Sequence, residues 1–201
     1  MKKVLLLLPH GFETYEACVF IDVIGWNLVD GDQTTKLFTC GLTKEVVSSF
    51  DQKFVVDYLI KEVKAEDFDA LAVPGGFEEY DFYREAYSVD VQELIQQFYK
   101  QNKPIASICV GALLLGQAGI LKGKKATTYN QKPIRQQLLG TYGADVINEP
   151  IVVDNNIITS WNPSTAIFVA LLLLEMLTSK ANAGYIAKIM GFDERMKVYY
   201  A

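Results

Sequence analysis

A cysteine, an acid and a pair of glycines stand where they could do chemistry together. Cys109 lies in KPIASICVGALLLGQAG, after the apolar run Ile105–Ile108 and just before a helix that opens near Gly111. A nucleophile between small residues, set on a sharp strand-to-helix turn, is the pattern of a nucleophile elbow. Ser107 and Gly111 supply the small flanks that let so tight a turn close. A thiol held there faces the unpaired N–H groups of a helix start, which favour thiolate over thiol.

Glu16 falls in the first turns of the helix after the first strand, within reach of the same crevice. Buried there, its carboxyl would keep a proton and donate a hydrogen bond to a thiolate. Left at the surface, it would only complement the helix dipole, and Glu13, nearer the helix start, fits that second role better. Pro74-Gly75-Gly76 ends another apolar strand. The N–H of Gly76 and that of Val110 could form a two-donor oxyanion hole, although the same residues also make an ordinary turn. His10, the only histidine, sits at the carboxyl end of the first strand, where ligands gather. A single histidine there can equally be structural. Trp161 and Pro163, in ITSWNPSTA, meet another strand-to-helix junction and could wall the pocket or pack the core. Cys18 and Cys40 read as small hydrophobes in core positions.

The elements that must position these residues alternate along the chain. Continuous apolar runs at Val4–Leu8, Ala70–Val73 and Ile105–Ile108 predict strands buried on both faces, so a parallel sheet covered by helices. Lys36–Cys40 and Phe54–Asp57 are further strand candidates. Ile151–Val153 and Ile157–Thr159 flank the turn Asp154-Asn155-Asn156 as a hairpin. Helices are expected over Tyr15–Leu28, Val89–Gln101 with Ser88 as N-cap, Ser164–Leu177 and Ala181–Met190. The result is one doubly wound α/β domain. Ligands in such folds bind at the carboxyl ends of the strands, so LPHGFETYE, VPGGFEE and ICVGA should meet at one place.

Composition narrows the function classes. With 201 residues, half of them hydrophobic, the chain can bury a full core. A net charge of −5 argues against a general nucleic-acid surface. The basic cluster Lys122, Lys124 and Lys125 reads as a solvated turn. Three cysteines suit a reducing cytoplasm better than a disulfide framework. Pro9 and His10 end the first apolar run too early for a signal peptide, and Ala166–Leu174 is too short to span a bilayer. No dinucleotide or phosphate-loop glycine pattern occurs, so no cofactor is expected.

LLPHGFETYE, AVPGG, ASICVGALLLGQAGILKGKKATTY and ITSWNPSTA, in that order, resemble the ThiJ/PfpI superfamily. The nearest branch is that of the Parkinsonism-associated deglycase and its bacterial ThiJ relatives. The similarity spans nearly the whole chain. It implies one ThiJ/PfpI-type domain over 1–201, of the class I glutamine amidotransferase-like kind, with a flavodoxin-like fold. It also implies a homodimer, often paired through the helix after the first strand. By this resemblance Cys109 matches the nucleophile or oxidation site, and Glu16 the buried, protonated acid bonded to it. Backbone N–H groups at Gly76 and Val110 line the oxyanion pocket.

Two positions depart from the pattern. Val110 stands where the protease-like branch has a histidine, and Tyr129 where the deglycase-like branch commonly has one. Amide hydrolysis by a Cys–His dyad therefore loses its general base. Glu16 would carry proton transfer, and Tyr129 would position substrate or merely pack. The expectation is a cysteine-dependent, metal-free enzyme acting on a small reactive carbonyl, of glyoxalase or deglycase type, turning methylglyoxal into lactate. Beside it stands a redox-responsive stress or chaperone-like protein that senses oxidant through Cys109. An amidase, a peptidase and an isonitrile-type hydratase follow.

Overall fold

The computed structural model of the protein describes residues 1–192; residues 193–201, the end of the expected domain, lie outside the described residues. Its strands are β1 (Lys2–Leu7), β2 (Thr35–Gly41), β3 (Glu45–Val47), β4 (Lys53–Val55), β5 (Tyr58–Leu59), β6 (Ala70–Val73), β7 (Ile105–Ser107), β8 (Lys125–Ala126), β9 (Asp145–Val146), β10 (Ile151–Asp154) and β11 (Ile157–Ser160). The helices are α1 (Thr14–Asp30), α2 (Phe82–Ala86), α3 (Val89–Lys100), α4 (Gly111–Gln117), α5 (Pro133–Thr141), α6 (Ala166–Leu177) and α7 (Lys180–Ile189).

A seven-stranded sheet in the order β10-β11-β7-β6-β1-β2-β5 forms the centre. Its neighbours run parallel except at the β10–β11 hairpin. The continuous apolar runs explain this: Val4 to Leu7 and Ala70 to Val73 are fully enclosed, which requires a layer on each face. Helices α1, α6 and α7 pack together on one side, and α3, α4 and α5 on the other, a flavodoxin-like α/β arrangement. Among the described residues no helix is long and apolar enough to cross a membrane.

Several local expectations need correction. The strand predicted at Phe54–Asp57 is β4, which pairs with β3 in a separate two-stranded ribbon, while the main sheet gains its edge from β5. Ser88 does precede α3, yet its side chain makes no capping bond. Ser179 caps α7 instead, its hydroxyl accepting the N–H of Asn182 at 3.1 Å. Lys124 is no solvated lysine: it pairs with Asp154 at 3.9 Å and lies 5.7 Å from the centre of the Tyr99 ring. Cys40 is enclosed as expected, but Cys18 is only half-buried on α1.

Candidate active site

The elbow is built by strain and close packing. Cys109 has φ +56°, a left-handed conformation that a non-glycine residue holds only when its surroundings impose it. The surroundings here are hydrogen bonds on both sides of the residue. The Cys109 N–H donates to the Ser160 carbonyl at 3.1 Å, and the Thr128 hydroxyl donates to the Cys109 carbonyl at 2.8 Å. Gly111 follows because a Cβ there would stand 2.7 Å from the Val73 carbonyl oxygen. The strand end and the helix start are thus locked together, with the thiol at the bend.

Glu16 reaches that bend from α1 and is fully enclosed. The Gly75 N–H donates to its Oε2 at 2.7 Å, while Oε1 is buried without a donor. Gly75 must lack a side chain: its Cβ would come within 2.9 Å of Glu16 Oε2 and 3.0 Å of Cys109 Cβ. Glu13, one turn earlier, joins the group. One oxygen each from Glu13 and Glu16 and the Cys109 sulfur lie within 4.8 Å of one another. Such a trio could share a metal ion, but burial makes both carboxyls avid for protons, and a proton is the occupant their surroundings favour.

Burial pushes the Glu16 carboxyl well above the usual range, and the charge of Glu13 adds to the rise. The Gly75 N–H and the Cys109 side chain pull the other way without reversing it. Glu13 is raised too, by burial, with the neighbouring Glu16 side chain opposing. Cys109 departs from the sequence expectation. Burial lifts its thiol well above the ordinary cysteine range, the Glu16 charge lifts it further, and only the Val110 N–H acts strongly against them. The helix-start N–H is thus opposed at this thiol by burial and by the neighbouring acids. One favourable N–H is outweighed by desolvation and two neighbouring acids.

A cavity of about 140 Å³ opens over the sulfur. That is smaller than the pockets that enclose drug-sized ligands, and suits a small molecule. Cys109, Val110, Gly76, Tyr129 and Pro163 all line it. Among the described residues, the Gly76 N–H donates to no protein oxygen and remains available to a ligand, while the Val110 N–H faces the Cys109 sulfur. His10 and Trp161 are not in the wall. The chain turns at Gly11 (φ +71°), which hands the cavity to Glu13, and the His10 N–H is tied to Glu85 at 2.8 Å. Trp161 is held back by its N–H bond to the Pro150 carbonyl at 3.0 Å, and Pro163 takes the wall position.

The sequence reading missed part of the wall. Glu13 was read as a helix-start acid, and Tyr83 and Arg135 carried no motif. The Arg135 guanidinium lies 5.1 Å from the centre of the Tyr83 ring and is bonded to Glu78 at 2.8 Å. Tyr83 and Tyr87, four apart, stack at 5.1 Å between ring centres. That spacing on one helix face was the available signal, but α2 is too short to show a period.

Comparison with known proteins follows from this geometry. The profile of the DJ-1/PfpI family matches residues 2–176. An uncharacterized protein of Staphylococcus aureus is 35% identical over 166 residues, covering 81% of this chain and 90% of its own. An uncharacterized protein of Methanocaldococcus jannaschii is 32% identical over 168 residues, 82% of this chain and 77% of its own. Among solved structures, DJ-1beta of Drosophila melanogaster superposes with a TM-score of 0.82 at 28% identity, over 94% of this chain and 97% of that one. An oxidized form of Toxoplasma gondii DJ-1 gives 0.79, also at 28% identity, over 94% and 98%.

Proposed function

From the membership of this chain in the DJ-1/PfpI family and the pairing of Cys109 with a sealed acid, we propose a cysteine-dependent enzyme that acts on small reactive carbonyls. The observation that carries the reading is Glu16, wholly enclosed and within 4.8 Å of both the thiol and Glu13. A carboxyl raised by burial is a stronger base than a free one. It suits moving a proton between two carbons near neutral pH.

For an α-oxoaldehyde such as methylglyoxal the steps balance without an added reactant except water. The Cys109 sulfur bonds to the aldehyde carbon, and the thiol proton ends on the former carbonyl oxygen, giving a hemithioacetal. The N–H groups of Gly76 and Val110 stabilise the oxyanion on the way. Glu16, its resting proton first released to solvent, takes the hydrogen of the first carbon as a proton, and the electron pair moves toward the neighbouring ketone. The former ketone oxygen gains a proton as the hydroxyl of the first carbon loses its own, and a proton returned to the second carbon leaves a thioester. Water cleaves it to lactate and restores the thiol. The expected partner is a small molecule, and homodimer assembly and a cytoplasmic setting belong to the same proposal.

The test is lactate formation from methylglyoxal without metal or glutathione, in the wild type, Cys109→Ser and Glu16→Gln. Lactate from the wild type alone supports the reading. Equal lactate from Cys109→Ser, or none from the wild type, overturns it. The oxidized state of the Toxoplasma relative favours a second reading, in which Cys109 is oxidised to a sulfinic acid held by Glu16 and the pocket N–H groups. Mild peroxide would then modify Cys109 alone. Uniform oxidation of Cys18, Cys40 and Cys109 would remove that alternative.

A further inference from the structure

We propose that Glu13 is the proton portal of the site, the group through which the sealed Glu16 exchanges protons with solvent during turnover. The inference rests on the carbonyl-processing reading and adds a residue to it.

Glu16 has no exposed surface, so its proton must travel through a neighbour. Three neighbours are on hand. The Gly75 N–H bonded to Oε2 is a peptide group and does not relay protons. The Cys109 thiol borders the cavity, but in the proposed reaction its sulfur is bonded to substrate when Glu16 must act. Glu13 remains. Its carboxyl lies within 4.8 Å of that of Glu16, and it also lines the cavity. The unpartnered Oε1 of Glu16 leaves that carboxyl able to take a shared proton. Glu13 is otherwise idle: it precedes α1 without a side-chain capping bond, and its backbone N–H is satisfied by the Gly75 carbonyl at 2.8 Å. The other charged or titratable groups around the cavity are Lys132, Arg135, Glu78, Glu79, Tyr83 and Tyr129, and Arg135 is already committed to Glu78.

The proton bookkeeping gives a distinctive signature. Glu16 takes one proton from the first substrate carbon and one proton returns to the second. With the portal open, the proton on Glu16 is replaced through Glu13 before delivery. Lactate made in D2O then carries deuterium on its second carbon. With the portal closed, the original hydrogen is carried across.

The experiment compares wild type, Glu13→Gln and Glu13→Asp, converting methylglyoxal in D2O, with the lactate read by NMR. Wild-type lactate should be extensively deuterated at the second carbon. Glu13→Gln should show a several-fold lower deuterium content and a kcat about tenfold lower, since an amide cannot pass a proton. Glu13→Asp should recover part of the exchange. Active Glu13→Gln with wild-type deuterium content overturns the portal, as does wild-type lactate without deuterium. Absence of lactate from the wild type overturns the carbonyl reading, and the portal falls with it. A merely structural role for Glu13 would lower rate or stability but leave the isotope content unchanged.

Discussion

Two cysteines of this chain are buried at the carboxyl ends of parallel strands, and only one is equipped for chemistry. Cys40 closes β2 in regular pairing with Leu7 and Tyr58, with no exposed surface. Desolvation alone acts on its thiol, pushing it far above the ordinary range. Cys109, beyond the end of β7, is almost as deeply buried at 6% exposure. Yet it sits in a left-handed bend, beside the Val110 N–H, two carboxyls and a cavity. Burial by itself makes a thiol inert. What sets Cys109 apart is its setting: polar neighbours, a nearby N–H and an opening onto a small cavity.

The contrast can be broken most sharply at the sulfur. Cys109→Ser should lower lactate formation by roughly 10⁴-fold or more, as loss of a nucleophile does elsewhere. Glu16→Gln keeps the Gly75 hydrogen bond but cannot carry a proton, and should cost about 10²- to 10⁴-fold in kcat. Gly75→Ala tests the packing between the two. Its methyl would press on both Glu16 Oε2 and Cys109 Cβ, and a displacement of that kind costs on the order of 10²-fold. A Gly75→Ala enzyme with wild-type kcat would show that the spacing of the pair is slack.

Cys40→Ala sharpens the comparison from the other side. It should leave kcat and KM unchanged and lower unfolding stability by about 1 kcal/mol, a modest core truncation. A large loss of activity there would mean that the two ends of the sheet are coupled.

The smallest effect concerns pH. Burial raises the folded pKa of Glu16 above its unfolded value of about 4.3, so between those two values the folded state binds the extra proton. Stability therefore falls as pH rises through that window, by at most about 1.4 kcal/mol per pH unit. Glu16→Gln removes that contribution. Denaturant unfolding from pH 4 to 8 should show the wild type losing ground to this variant. Parallel curves would mean that Glu16 is not strained by its burial.

The sheet was legible where the sequence pattern was strong. Runs such as VLLLL and ALAV are apolar on every residue and short, which suits a strand covered on both faces, whereas the longer run Ala166–Leu174 folds as α6. The elbow was legible because Ser107, Cys109 and Gly111 combine a nucleophile with the small residues its turn requires. The short α2 escaped, since five residues show no period, and β3, three residues long and paired only with β4, is too short to show alternation. Of the residues the sequence offers for the wall, Tyr129 and Pro163 line the cavity, whereas His10 and Trp161 do not. Local turns at Gly11 and the bond from Trp161 to Pro150 decide which way each segment presents itself.

By itself, then, the sequence determined the α/β class, the cysteine at the elbow and the three loops that had to meet. Tertiary structure decided the protonation of the site. Glu13, Glu16, Gly75 and Cys109 are distant in the chain, and their pKa shifts arise only when folding removes water from around them and sets their charges side by side. Spacing along a sequence carries no measure of desolvation. That is why the spacing alone points to a helix-start thiolate, while the fold sets the thiol in a buried place beside two acids, with Glu13 brought from the helix start to the edge of the cavity.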